Sequence, residues 1–393
     1  MAMAGNSTGR SVLSEASESL RKYISVGAGI NALVSRTREA LSELREADTL
    51  LTQIANENNR ISKAELENIG NSAFDTASKY GKSAAGYLTE FREASRAGYR
   101  NAAQIAELSL AAQGAGSMAG ELADRFITAA DKAYGLGGSV SKLTEVLDGS
   151  FNISGRNAIS MTELAAAMSA AGEQASRLGI GADETAAMLG TMISEAHQSG
   201  AGAADAFENI LLLIRQVEDS GKGIDAESLT RYGEACRALN VSLKETKNGI
   251  TSLRDPVEVL KDLSEAYSKL NAGDTRKTNL LDAAGGGITA DALDAVLNNY
   301  DLYEQMLSQY AQGAGSMAKK AAQTAGSWEG SMNRLSNTWT DTIGNIADSD
   351  AVVTLVNGLN GLLSVVNSVT KGLGSFGTIG IGAGITAFVK NFA

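Results

Sequence analysis

Apolar positions recur along most of this 393-residue chain at helical rather than strand spacing. Ile30, Val34, Leu41, Leu44, Leu51 and Ala55 keep a near-heptad interval among Arg, Glu and Asp residues. They predict a helix within residues 10–60 whose heptad pattern skips Thr37 and meets Asp48, so that a perfect coiled coil is not supported, and which Gly27 and Gly29 loosen near its start. S-K-A-E at 62–65 reads as a capping box, with Ser62 and Glu65 each satisfying the other's backbone N–H. Helix is expected from there to about residue 112, punctuated by Gly70, Gly81 and Gly86. The stretch 113–180 alternates short helices with glycine turns, and FNISGRN (151–157) reads as a polar loop.

S-M-T-E at 160–163 is a second capping-box sequence. It precedes a stripe of Leu164, Met168, Ala171, Ala175 and Leu178, which Gly179 and Gly181 end. Helices follow over about 183–198, with Leu189, Met192, Ile193 and Ala196 inward, and over about 203–218, with Ile210, Leu211, Ile214 and Val217 inward. S-L-K-E at 242–245 is the third capping-box sequence. The only proline marks a helix start, with Asp255 at the N-cap, Pro256 at the first helical position and Glu258 two residues on. Gly285–Gly287 is a break, and Thr289 caps a helix through Val296. One long helix is expected from about 316 to 346, carrying the stripe Trp328, Met332, Leu335, Trp339, Ile343 and Ile346.

A single proline in a chain of this length fits long helices, because proline inside a helix breaks it. The fold class expected is all-α: an elongated multi-helix assembly with coiled-coil-like segments and a glycine-rich hydrophobic C-terminal segment. Three parts are marked out: an N-terminal helical segment (1–62), a helical core (63–350) and the C-terminal segment (351–393). The last boundary is a composition change, since no acid occurs after residue 350 and the only charges there are Lys371 and Lys390. Its uncharged runs approach the ~20 residues that span a bilayer. G-I-G-A-G (380–384) has the small-residue spacing of close helix contacts in membranes, so Gly380, Gly384, Ile385 and Phe388 are the membrane-contact candidates. A helix pair buried in a larger assembly is the competing reading. The octapeptide AQGAGSMA occurs twice, at 112–119 and 311–318. It reads either as coincidence or as a reused turn-then-helix element in which Ser117 or Ser316 caps the next helix.

Composition limits the chemistry. Aromatic residues are only 5% of the chain, so alanine, leucine, glycine and serine must fill the core. The formal net charge of −11 argues against nucleic acid as a primary partner. The N-terminal MAMAGNSTGR shows no apolar signal-peptide core. One histidine (His197) and one cysteine (Cys236) cannot build a His/Cys zinc site, an intrachain disulfide or a CxxC pair. His197 sits near a helix C-terminus and Cys236 at a small buried helix position, so no catalytic residue, metal ligand or cofactor site is assigned. G-L-G-S-F-G (372–377) follows a helical segment and precedes no acid, which excludes a dinucleotide fingerprint. Gly81-Lys82-Ser83 lacks the first P-loop glycine, because Thr76 stands there.

From about residue 40 onward the chain resembles the core region of phage tail tape measure proteins. The resemblance rests on SAFDTASKYGKSAAGYLTEFREASRAGY (72–99), AELSLAAQGAGSM (106–118) and ISMTELAAAMSAAGEQASRLGIGADETAAMLGTMISEAHQSG (159–200). AFENILLLIRQV (206–217), LRDPVEVLKDLSEAY (253–267) and SWEGSMNRLSNTWTDTIGNIADSD (327–350) continue it in the same order. The resemblance implies a non-catalytic scaffold in the tail lumen, around which tail-tube subunits polymerise until its length stops them, and which leaves ahead of the DNA. Implied partners are the tail-tube protein, tail-tip or baseplate initiator proteins, tail assembly chaperones and further copies of the chain. The stripe Trp328, Met332, Leu335 and Trp339 is the self-association candidate, with packing against the chain's own helices as its competing reading. The implied locations are the virion tail lumen, the host cytoplasm during assembly, and the host membrane at infection through residues 351–389. A membrane-active helical protein is the alternative. A cell-wall hydrolase, a domain that some tape measure proteins carry, is not supported by any compact catalytic segment. Family members generally extend well beyond the hydrophobic segment in which this chain stops, so it reads as a truncated prophage copy, a fragment or one part of a split protein.

Overall fold

A computed structural model describes residues 29–58 and 61–327, together with residues 330, 333, 336 and 337. The described residues form fifteen α-helices, one short 3-10 turn (Ser220–Lys222) and one two-stranded hairpin. They group into two compact units, one ending at Leu88 and joined by the few described residues beyond Ser327, the other Thr89–Ser327. The expected coiled-coil stripe at 328–346 and the glycine-rich segment 351–393 lie outside the described residues, apart from the four positions named.

The first unit holds α1 (Gly29–Glu57), α2 (Lys63–Lys79) and the first turn of α3 (Ala84–Arg96). In the second half of α1 the buried face is Ala47, Leu50 and Ile54. Leu51 and Ala55, expected at its centre, are half-buried at its edge. The Ser62 capping box forms as expected: Ser62 Oγ accepts from the Glu65 N–H at 3.3 Å, and Glu65 Oε2 accepts from the Ser62 N–H at 2.8 Å. These bonds favour the charged Glu65 carboxylate and lower its pKa. Gly81 turns the chain between α2 and α3 with φ +65°. The Ala84 N–H at the start of α3 donates to Glu43 Oε1 at 3.2 Å. Asn333 donates to the Gly81 carbonyl at 2.7 Å, and Asn337 donates to Lys82 O at 2.6 Å and Ser78 Oγ at 3.0 Å.

The second unit continues through α4 (Ala102–Gly116), α5 (Gly120–Tyr134), α6 (Val140–Arg156), α7 (Met161–Arg177), α8 (Ala182–Glu195), α9 (Gly200–Ile214) and α10 (Ala226–Ala238). The hairpin β1 (Lys244–Lys247) and β2 (Ile250–Leu253) precedes α11 (Pro256–Ser268), α12 (Thr275–Ala283), α13 (Gly287–Asn298), α14 (Tyr300–Ala311) and α15 (Ser316–Ala325). Helix α7 packs between α5 and α9; α14 lies on α8, and α15 lies on α4 and α6. Phe126, Phe151, Phe207, Tyr232, Tyr267 and Tyr303 are the largest fully buried side chains, set among many buried alanines. Cys236 is buried as expected, and burial pushes its thiol up to about 12. Asp255 caps α11 through the Val257 and Glu258 N–H groups with Pro256 in the first turn, also as expected.

Several expectations are corrected. The fold is not purely helical, because S-L-K-E starts the hairpin rather than a helix. Ser242 Oγ accepts from the Lys244 N–H at 3.2 Å, closing a local turn. Asn248 and Gly249 both take positive φ, 54° and 78°, as a two-residue hairpin turn requires. FNISGRN is not a loop but the last two turns of α6, held there by the burial of Phe151, Ile153 and Ser154. Ser160 begins α7 without a side-chain cap, because Glu163 reaches across to the Gly200 N–H at the start of α9. Helix α9 ends at Ile214, which leaves Val217 exposed. Gly286, not Thr289, starts α13; Thr289 is buried within the helix, where its Oγ1 accepts from Asn209. Helix α15 stops at Ala325 with Gly326 as C-cap, so 316–346 is not one continuous helix.

The first copy is the last turns of α4 and its exit and the second the turn from α14 into α15, and neither serine caps the following helix: Ser117 closes α4 in the left-handed region, and Ser316 opens α15 behind Gly315. Both copies pack on α6. The Gly116 Cα lies where an added Cβ would meet Phe151 at 3.1 Å. In the second copy, Asp148 accepts from the Gly315 N–H at 2.7 Å and the Met317 N–H at 2.9 Å, so a carboxylate from α6 serves as the N-cap of α15. Lys320 then donates to the Phe151 carbonyl at 3.0 Å. Asp148→Ala orphans both N–H groups, and urea unfolding followed by circular dichroism should show a loss of about 1–3 kcal/mol. A loss below about 0.5 kcal/mol, the range of ordinary surface changes, contradicts the cap assignment.

Candidate functional site

Helix α5 is amphipathic. Leu122, Ala123, Phe126, Ile127 and Ala130 are buried, while Glu121, Asp124, Arg125, Thr128 and Lys132 line an open cleft of about 860 Å³. The second half of α3 supplies Glu90, Glu93 and Arg96 to the same cleft, α4 supplies Ile105, and α7 supplies Ser169 and Glu173. Salt bridges stand at its rim, Arg96 to Glu93 at 3.2 Å and Lys132 to Glu173 at 3.6 Å. Their side chains are well exposed, so each pair stabilises the fold little. Tyr99 closes one end, and burial together with the neighbouring Asp131 carboxylate pushes its phenol up to about 12.

The floor of the cleft is a pair of carboxyl groups. Glu90 is only 6% exposed, and its Oε2 accepts from Ser109 Oγ at 2.7 Å. Gln113 donates in turn to Ser109 at 3.3 Å. Asp124 hydrogen-bonds Glu90, and burial, followed by that contact and the Glu90 charge, raises its carboxyl far above the ordinary carboxylate range. Two carboxyls in contact in a partly dry site retain one proton between them. Such a pair can hold and release a proton. Its neighbouring hydroxyl, Ser109, is engaged as a donor to Glu90, and among the described residues no His, Cys, Asp and Glu cluster could hold a metal ion.

Neither His197 nor Cys236, the described residues weighed for chemistry from the sequence, lines this cleft. Trp328, Met332, Leu335 and Trp339, and Gly380, Gly384, Ile385 and Phe388, all lie outside the described residues. Among the described residues no helix is long and apolar enough to cross a membrane. His197 is exposed in the left-handed region just past α8. The acid pair was missed, although one signal was available: Glu90 stands in the buried stripe Tyr87, Phe91, Ala94 of α3, where an apolar residue is the rule.

Ser109→Ala leaves the buried Glu90 carboxylate without its hydroxyl donor and should lower stability by about 1–3 kcal/mol in urea unfolding. The exposed Ser141→Ala serves as the reference and should shift stability by less than about 0.5 kcal/mol. Equal effects for the two variants would contradict the role given to Ser109.

Residues 70–286 match the family model of the phage-related minor tail protein. The match takes in most of α2, the acid-pair cleft and the hairpin, and it ends in the glycine turn before α13. No curated protein and no solved structure matches the chain significantly. The matched segment is more than half of the sequence, and the chain belongs to the phage-related minor tail protein family.

Proposed function

We propose that the chain is a tail tape measure protein, or the N-terminal core of one, acting as the scaffold on which the tail tube polymerises to a set length. The carrying observation is the family match over residues 70–286, which makes the chain a phage tail component. The resemblance to tape measure cores, running in the same order to residue 350, supports the narrower role. The role is structural rather than enzymatic, a reading supported by the match to a phage tail family. Its partners are the tail-tube protein, tail-tip or baseplate initiators, tail assembly chaperones and further copies of itself, the last through Trp328, Met332, Leu335 and Trp339. Residues 351–389 serve a later step at the host membrane.

Deleting this reading frame from its phage should give no tails, or tubes of uncontrolled length, in electron micrographs. Complementation in trans should restore a single length. Tails of normal, uniform length in the deletion strain would overturn the role. In the purified chain, Leu335→Glu should abolish oligomers in sedimentation, and an unchanged oligomer would remove the self-association assignment.

A further inference from the structure

The Glu90–Asp124 pair has no part in the scaffold role as stated, yet its surroundings are built around it. Glu90 Oε1 lies over the first turn of α5, 2.5 Å from where a Cβ on Gly120 would stand. That position is open only because residue 120 has no side chain. Glu90 Oε2 is held by Ser109 at 2.7 Å, so the carboxyl cannot swing out without losing a donor. Asp124 sits one turn further along α5 and bonds the same carboxyl. Two carboxyl groups hydrogen-bond each other only when one of them carries a proton.

The charged groups that share the cleft with the pair are Glu93 and Arg96 from α3, Glu121, Arg125 and Lys132 from α5, and Glu173 from α7. Helix α4 presents Ser109 and Gln113 to the pair. Arg96 bonds Glu93, and Lys132 bonds Glu173. Glu93 adds to the repulsion that favours a retained proton on Asp124.

We propose that this pair is a proton-dependent latch joining residues 89–96 of α3 to α5, closed while one proton is shared and loosened when that proton is lost. The latch depends on the packing of this helical unit and not on the tape measure reading, so either can fail alone. The direction with pH is fixed by the raised Asp124 value, about 8 in the fold against 3.8 for an ordinary aspartate. Below the unfolded value both states hold the proton and the stabilisation is complete. It declines as pH rises between the two values, and it is gone once pH passes the folded one.

Hydrogen exchange on the full chain, corrected for the intrinsic pH dependence of exchange, tests this. Between about pH 6 and about pH 9, wild-type amides in residues 89–96 and the first turns of α5 should lose protection about tenfold or more. Asp124→Asn and Glu90→Gln each replace the shared proton with a permanent amide donor, and both should flatten that profile. A flat wild-type profile, or a wild-type slope retained in both variants, overturns the latch. If one variant fails to fold by circular dichroism, the other carries the comparison. Infrared spectroscopy of the wild type provides an independent readout: a protonated-carboxyl band should be present at neutral pH and fade through the same interval, and its absence at neutral pH would also overturn the proposal.

Discussion

Large side chains in this protein press onto neighbouring helix backbones at positions without side chains, and the rest of the core depends on that approach. A Cβ on Gly149 would stand 2.5 Å from the ring of Tyr310, and one on Gly190 would stand 2.8 Å from Met306 Sδ. With aromatic residues at 5% of the chain, bulky side chains cannot fill wide gaps between helices. The alternative is to bring α6 against α14, and α8 against α14, until alanine, glycine and a few large residues fill the space at interior density. The buried alanines of α4, α7, α8 and α9 do the same elsewhere in the unit. Dispersion contacts, each small and collectively large, reward this closeness.

Close backbones bring helix ends near neighbouring helices, and the polar network follows from that. Asp148 caps α15 from α6, Glu163 reaches the start of α9 from α7, and Glu43 reaches the start of α3 from α1. In each case a carboxylate from another helix accepts from N–H groups of the first turn, beside the local Ser199 and Ser83 contacts in the last two. The Glu90–Asp124 pair belongs to the same pattern with a different outcome. Here a Glu90 oxygen lies over the first turn of α5, and its contact with Asp124 raises the Asp124 carboxyl above the ordinary range.

Helical spacing, the Ser62 box, the Pro256 start and the glycine breaks at 81, 179 and 285–287 were legible from sequence, because each depends on residues within one or two turns. The errors lie where distant residues decide. FNISGRN looked polar, but Phe151 and Ile153 enter a core made by other helices. Ser160 looked like a reciprocal cap, but Glu163 meets a partner 37 residues on in sequence rather than three back. The hairpin was misread despite a local signal, since Asn248-Gly249 is the dipeptide that such turns favour. The cleft was invisible for a simpler reason: Glu90, Ser109 and Asp124 come from three helices, and only the charge on an apolar stripe hinted at it.

The most direct test of close helix packing is the sign of a substitution. By helix propensity alone, Gly→Ala inside a helix should stabilise by about 1 kcal/mol. Gly233 in α10 has no atom nearer than 4.0 Å to an added Cβ, so Gly233→Ala should raise the urea midpoint. Gly149→Ala drives its methyl into Tyr310 and should lower that midpoint, by about 1–3 kcal/mol of overpacking. A rise for both variants would contradict the account, because it would mean that α6 and α14 do not meet at the backbone separation on which the core depends.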